Sequence, residues 1–233
     1  MKKIIKRVLL ILLAVIIVVL GIGAYNYYPM LSMSPTETGF VNDTGIFAVK
    51  NGFATVYLID TEAGFIMIDA GADAAGLEKA LKEEGIGLDD IKWILLTHSD
   101  FDHTGGLASF TKADVYMSED ELGLVDGTVK RSFFAGNSLP QTVAAVLLKG
   151  DDELLFGKVK VGCIKAPGHT DGSMAYLIDG KYLFTGDAFG IKNGSMIVHP
   201  FTMHKKQAAE TIENLRETVK SSKLVLTAHY GSF

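Results

Sequence analysis

Hydrophobic and polar positions divide this chain into one long apolar stretch near its start and a body of short apolar runs separated by turn residues. From Val8 to Ala24 there is no charged residue, and the run is almost entirely Leu, Ile and Val. At about 1.5 Å per residue it spans roughly 26 Å, close to the thickness of a bilayer core. Downstream, strand-like runs fall at 55–59, 65–69, 93–97, 115–117, 159–164, 174–178, 181–185 and 223–227, and helical patterns at 74–84, 118–124 and 205–220. Ser118 with Glu121 three residues on reads as a capping box. Glu213 and Glu217 facing Arg216 and Lys220 support an amphipathic final helix. Strands alternating with helices, then more strands and a last helix, predict a layered α/β domain.

Charge adds a direction to the apolar run. Lys2, Lys3, Lys6 and Arg7 precede it, and no further Lys or Arg occurs before Lys50. The positive-inside rule then puts the N-terminus in the cytoplasm and the body outside, with Tyr25, Tyr27 and Tyr28 at the interface. A cleaved signal peptide is the competing reading, for which Gly21-Ile22-Gly23 supplies small residues. An apolar run longer than the usual h-region of about 7–15 residues, with no Ala-x-Ala site after it, favours an anchor. The expected organisation is a membrane anchor over 1–28, a tether rich in Ser, Thr, Pro and Gly over 29–44, and one domain over 45–233. A single-pass membrane protein with an extracytoplasmic domain follows, or a secreted one if the segment is removed. The formal charge of −5 includes the four cations of the anchor, so the domain itself is more acidic. That disfavours a nucleic-acid substrate and leaves a small molecule as the expected one.

The densest chemistry lies at His98-Ser99-Asp100-Phe101-Asp102-His103, directly after the apolar run Trp93-Ile94-Leu95-Leu96-Thr97. A strand that ends in a loop delivers side chains to one point, and imidazoles with carboxylates are ligands for zinc, iron or manganese. Turn chemistry accounts for Asp and Gly here but not for two His flanking two Asp. His169 in Pro167-Gly168-His169-Thr170, Asp187 after Leu183-Phe184-Thr185-Gly186, and His229 after Leu224-Val225-Leu226-Thr227-Ala228 are each flanked by an apolar run and a turn residue. Cys163 sits in an apolar-alternating run and reads as a small buried hydrophobe, not a ligand. His199 and His204 are expected at the surface or capping a helix.

This order and spacing resemble the metallo-β-lactamase-fold hydrolases, whose motif reads His-x-His-x-Asp-His, followed by a distant His, an Asp and a last His. The resemblance runs from about Phe40 to the C-terminus and takes in Val56-Tyr57-Leu58-Ile59-Asp60 and Gly64-Phe65-Ile66-Met67-Ile68-Asp69-Ala70-Gly71. It implies an α/β fold of four layers, an αββα sandwich preceded by the single transmembrane helix, and two divalent metal ions, zinc before iron or manganese. By the same resemblance, His98, Asp100 and His169 would hold the first metal, Asp102, His103 and His229 the second, and Asp187 would bridge them. Two cations roughly 3.5–4 Å apart share a water and lower its pKa toward about 7, so a bridging hydroxide can serve as nucleophile. Asp102 would orient it and carry the proton, while Asp69 and Thr170 are the candidates for holding ligands from behind.

One position departs from the pattern: the motif's second His is Asp100. A carboxylate there makes the site harder and more anionic, which raises iron as an alternative. Two functions therefore stand: hydrolysis of a small ester, lactone, thioester or related bond, and an iron-dependent redox or oxygenase role in the same superfamily. The short stretch after His229 argues against a flavin domain and against the helical extension of glyoxalase II. The segment 125–153, with Arg131, Phe133, Phe134, Asn137, Leu139 and Pro140 and little regular pattern, is the expected substrate wall.

Overall fold

A computed structural model describes residues 2–131 and 137–233; Phe133, Phe134 and the side chains of Tyr25 and Tyr27 lie outside the described part. The chain forms two compact units, one up to Met33 and one from Ser34 to Phe233. The first is helix α1 (Lys2–Tyr27) with a short 3₁₀ turn after it. It is long and apolar enough to cross a membrane.

Among the described residues the second unit contains two large sheets and a separate two-stranded hairpin. The first takes strands β1 (Gly39–Phe40), β2 (Ile46–Asn51), β3 (Ala54–Thr61), β4 (Gly64–Ile68), β5 (Ile91–Leu95), β6 (Asp114–Ser118) and β7 (Ala145–Leu148) in sequential order. The second takes β8 (Glu153–Phe156), β9 (Val159–Lys165), β10 (Met174–Ile178) and β11 (Tyr182–Gly186); a hairpin of β12 (Gly190–Lys192) and β13 (Ser195–Ile197) follows, and β14 (Leu224–Thr227) joins β11 in parallel. Helix α2 (Ala74–Glu83) follows β4, single-turn helices α3 (Phe101–Thr104) and α4 (Leu122–Val125) follow β5 and β6, and α5 (Lys205–Ser221) precedes β14.

Three buried clusters show why these segments stack as four layers. Tyr57 and Ile59 of β3 pack with Ile66, Ile68, Cys163, Tyr176, Phe184 and Leu226 in a core drawn from both sheets. The alternate residues Val56 and Leu58 pack with Met67, Ile94 and the α2 residues Leu77 and Leu81. Leu183 and Val225 pack with Ile212 and Leu215 of α5. A strand covered on both faces reads as a continuous apolar run, which is how Val56-Tyr57-Leu58-Ile59 reads. The αββα sandwich implied by the resemblance is the fold observed. Cys163 lies in the core between the sheets, where burial pushes its thiol up to about 12.

Three expectations are corrected. Part of the expected tether belongs to the folded unit: Ser34 N–H donates to the His229 carbonyl, Thr36 N–H to Thr55 Oγ1, and Gly39–Phe40 adds a strand. The segment 125–153 is not without regular structure, since β7 closes the first sheet beside β6. The region 118–124 is not one helix: Ser118 caps a 3₁₀ turn by accepting from Asp120 N–H, and Glu121 turns inward, fully buried.

Candidate metal centre

Every candidate ligand lies beyond the carboxyl end of a strand. His98 follows β5, Asp100 flanks α3, and Asp102 and His103 ride on α3 itself. His169 lies in the turn between β9 and β10, Asp187 follows β11, and His229 follows β14. Two glycines permit this convergence. Gly168 has φ +131°, and a Cβ there would strike the Ala208 backbone, so only glycine lets the His169 turn pack on α5. Gly186, φ +49°, sits against Thr97 at a register shift between β11 and β14, which turns Asp187 toward the ligands from the other sheet.

Asp187 is the centre of the cluster. Its Oδ2 lies 3.1 Å from His229 Nε2, 3.4 Å from His169 Nε2 and 3.7 Å from His199 Nε2, and its Oδ1 lies 3.7 Å from His103 Nε2. Asp102 Oδ2 stands 3.4 Å from His229 Nε2 and 3.8 Å from His103 Nε2. Three ligand groupings result: His98, His169 and Asp187; Asp102, His103 and His229; and Asp187, His199 and His229, each with ligand atoms within 4.8 Å of one another. The buried atoms His98 Nε2, His103 Nε2, His199 Nε2 and Asp187 Oδ1 have no hydrogen-bond partner among the described residues. Orphaned polar atoms cost about 1–3 kcal/mol each, and four pointing into one space fit a bound cation.

The surroundings fix these rings and set their charge. Asp69, held in left-handed backbone at φ 61°, accepts from Thr97 N–H at 2.7 Å and from His103 Nδ1–H at 2.8 Å. The proton is thereby kept on Nδ1 and Nε2 is aimed at the cluster, the arrangement by which a carboxylate orients a ligating imidazole. Burial would lower His103, but the nearby carboxylates of Asp69, Asp102 and Asp187 outweigh it and hold it up at about 10. Burial pushes His169 down to about 4 and His199 to about 3 despite Asp187. Burial would raise Asp187, yet His229, His199, His169 and His103 around it keep it well below the carboxylate range.

The placements of His199, Thr170 and Asp100 go beyond or against the sequence reading. His199 is buried within the cluster, not at the surface or on a helix cap, and packs edge-on to His169 at 4.8 Å. Its signal was available: Met196-Ile197-Val198 is an apolar run ending in a His, like the others. His204, by contrast, is exposed at the N-cap of α5, as expected, and pairs with Asp171 at 2.9 Å. Among the described residues the Thr170 hydroxyl makes no hydrogen bond to a ligand ring; it donates to Glu121 Oε2 at 2.9 Å. Glu121 also accepts from Ser99 N–H, Ser99 Oγ–H and Gly172 N–H, so it ties the loop carrying His98 to the loop carrying His169. Asp100 Oδ2 lies 3.5 Å from His98 Nε2 and 3.2 Å from His169 Nε2, but both carboxylate oxygens are bonded by Arg131. Burial opposes the charge on Asp100, and its contacts with His169, His98 and Arg131 more than offset it, keeping the carboxyl far below its usual range.

This fold and this cluster are those of the metallo-beta-lactamase superfamily, whose family model matches residues 49–229, and the chain belongs to that family. It is a metallo-β-lactamase-fold hydrolase. Among curated relatives it is 24% identical over 200 residues to an N-acyl homoserine lactonase of Bacillus thuringiensis, covering 73% of this chain and 78% of that protein. It is 31% identical over 133 residues to a hydroxyacylglutathione hydrolase of Brucella ovis, covering 57% of this chain and 46% of that one. A class B3 di-zinc metallo-beta-lactamase from an Alaskan soil metagenome superposes with TM-score 0.65 at 22% identity, over 85% of this chain and 80% of the other.

Proposed function

We propose that this hydrolase cleaves a small ester, lactone, thioester or related bond, with zinc held by the cluster around Asp187. The observation that carries this reading is the convergence of buried, unpartnered imidazole nitrogens on one carboxylate. Mixed imidazole and carboxylate donors suit zinc. When bound, such an ion lowers the pKa of a coordinated water toward about 7 and polarises the electrophilic oxygen.

The protein's own part is positional. Asp102, His103 and His229, with Asp187 beside them, form the corner assigned to the catalytic ion. Asp69 holds the His103 proton on Nδ1, and Asp102, one-fifth exposed, is placed to hold the proton taken from the attacking water. The likeness to a lactonase supports carbonyl esters and lactones as the first compounds to try. The iron alternative rests on Asp100 as an oxygen ligand, and the three Arg131 bonds to that carboxylate weaken its basis. α1 and its flanking charges support a single-pass membrane protein with the hydrolase domain outside the cytoplasm.

The test pairs elemental analysis of protein purified without chelator or added metal with a hydrolysis screen over lactones, thioesters and phosphodiesters. Bound zinc with turnover is expected, and His103→Ala and Asp187→Ala should each lose metal and activity while keeping the native circular dichroism. Full metal content in both variants would overturn the ligand assignment.

A further inference from the structure

Arg131 is not a surface arginine that happens to lie near a metal site. Its side chain is 11% exposed and that of Asp100 is 17% exposed. Nε donates to both Asp100 oxygens at 2.9 and 3.0 Å, and Nη2 donates to Asp100 Oδ2 at 2.9 Å. The same Nη2 lies 3.0 Å from His169 Nε2 and 2.8 Å from the Phe201 carbonyl, so its two hydrogens are shared among three neighbours. From the other side, Asn137 Nδ2 donates to Asp100 Oδ1 at 2.9 Å and to Ser99 Oγ at 2.8 Å. Ser99 is in turn fixed by Glu121. The guanidinium therefore sits in a constructed nest whose members come from four separate segments.

We propose that the Asp100–Arg131 pair takes the place of a second metal ion, so that this enzyme holds one ion, at the Asp102–His103–Asp187–His229 corner. The inference rests on the metallohydrolase reading above and adds the metal complement of its site. Arg131 Nη2 stands 3.0 Å from His169 Nε2, the ring atom that faces Asp100 and Asp187, and a neutral imidazole offers one in-plane lone pair, to an Arg131 N–H or to an ion but not to both. An ion and the guanidinium exclude each other at that atom. Nor can the arginine give way by losing its proton, because a guanidinium stays charged in proteins. Asp100 is then not a metal ligand but the anion that fixes Arg131. The replacement of the motif's second His by Asp has a reason in this arrangement, since an imidazole could not receive the two-pronged guanidinium bond that a carboxylate receives.

The four remaining ligands are independent of Arg131. Asp102, His103, Asp187 and His229 make no hydrogen bond to it among the described residues, and His103 and Asp187 each keep a buried unpartnered atom for a cation. His98 Nε2 faces Asp100 Oδ2 at 3.5 Å and joins the arginine's side of the site.

The experiment is a zinc titration of the full chain in detergent, stripped by chelator and then freed of it. Calorimetry reads stoichiometry, and cobalt(II) substitution reads the ligand field of each equivalent. The wild type should take up about one equivalent, and Arg131→Met and Arg131→Gln about two, the second at least about tenfold tighter than any second equivalent in the wild type. Circular dichroism of both variants checks the fold. Two comparable equivalents in the wild type would overturn the proposal while leaving the metallohydrolase intact, as would a single equivalent in all three proteins. No binding in any of them would sink the metallohydrolase reading, and this inference with it.

Discussion

His169 and His199 are imidazoles buried beside a carboxylate, and burial decides their protonation: both stay neutral in the folded, metal-free protein, with pKa values down at about 4 and about 3. In the unfolded chain each protonates near its ordinary value of about 6.5. A group whose folded pKa is depressed contributes stability that is present above the unfolded value and is lost as pH falls toward the folded one. His103, raised to about 10, and His229, raised as well, act the other way: the contribution of each is complete below the unfolded value and is lost only as pH rises through its own folded value. Between about pH 6.5 and 4, then, His169 and His199 set the slope among these histidines. The thermal midpoint of the chelated protein should fall through this window, and His199→Leu should flatten the fall. A midpoint that rises on acidification, or an unchanged slope in the variant, would show that these rings are not buried as described.

At the level of elements, the ligand-bearing loops depend on one carboxylate that is neither a ligand nor at the surface. Glu121 Oε1 receives Ser99 N–H and Oγ–H, and Oε2 receives Thr170 Oγ1–H and Gly172 N–H. In Glu121→Gln an amide NH₂ would face two donors, orphaning a buried N–H at about 1–3 kcal/mol and uncoupling the His98 loop from the His169 loop. Denaturant unfolding should show a loss of about 2–3 kcal/mol, whereas Glu83→Gln on the exposed face of α2 should stay within about 0.5 kcal/mol. The sequence reading took Glu121 for the second half of a capping box, because Ser-x-x-Glu looks the same locally whether the acid caps its own turn or reaches a loop brought beside it by β9 and β10. The same limit governs what else was legible. β3, β4 and β5, covered on both faces, announced themselves as apolar runs, and so did the ligands at their ends. β7 and β8, with exposed Val146, Leu147 and Leu155, carry patterns too weak to read as strands, and so does the short β13 that delivers His199. Asp100 was visible as an odd residue in the motif, but its partner Arg131 is 31 positions away, and no local pattern joins them.

For the whole molecule, the proposed membrane anchoring carries a proposed orientation, and its basis is electrostatic. α1 carries no acidic residue in its first turn, and Lys3, Lys6 and Arg7 flank its apolar stretch on the N-terminal side. Retaining such a cluster in the cytoplasm is favoured over translocating it, and no basic residue before Lys50 opposes that orientation. The acidic balance of the rest of the chain adds nothing against export, since acidic residues contribute little to topology. Protease added to intact cells should therefore clip the chain in the stretch between α1 and Ser34, releasing a fragment that starts near the first residues tied into the fold. Mass measurement of the uncut protein separates the two exported forms: an intact N-terminus means an anchor, and a start near Gly23 means a removed signal. Full protection of the domain until the membrane is permeabilised would place the hydrolase in the cytoplasm and reverse the proposed orientation.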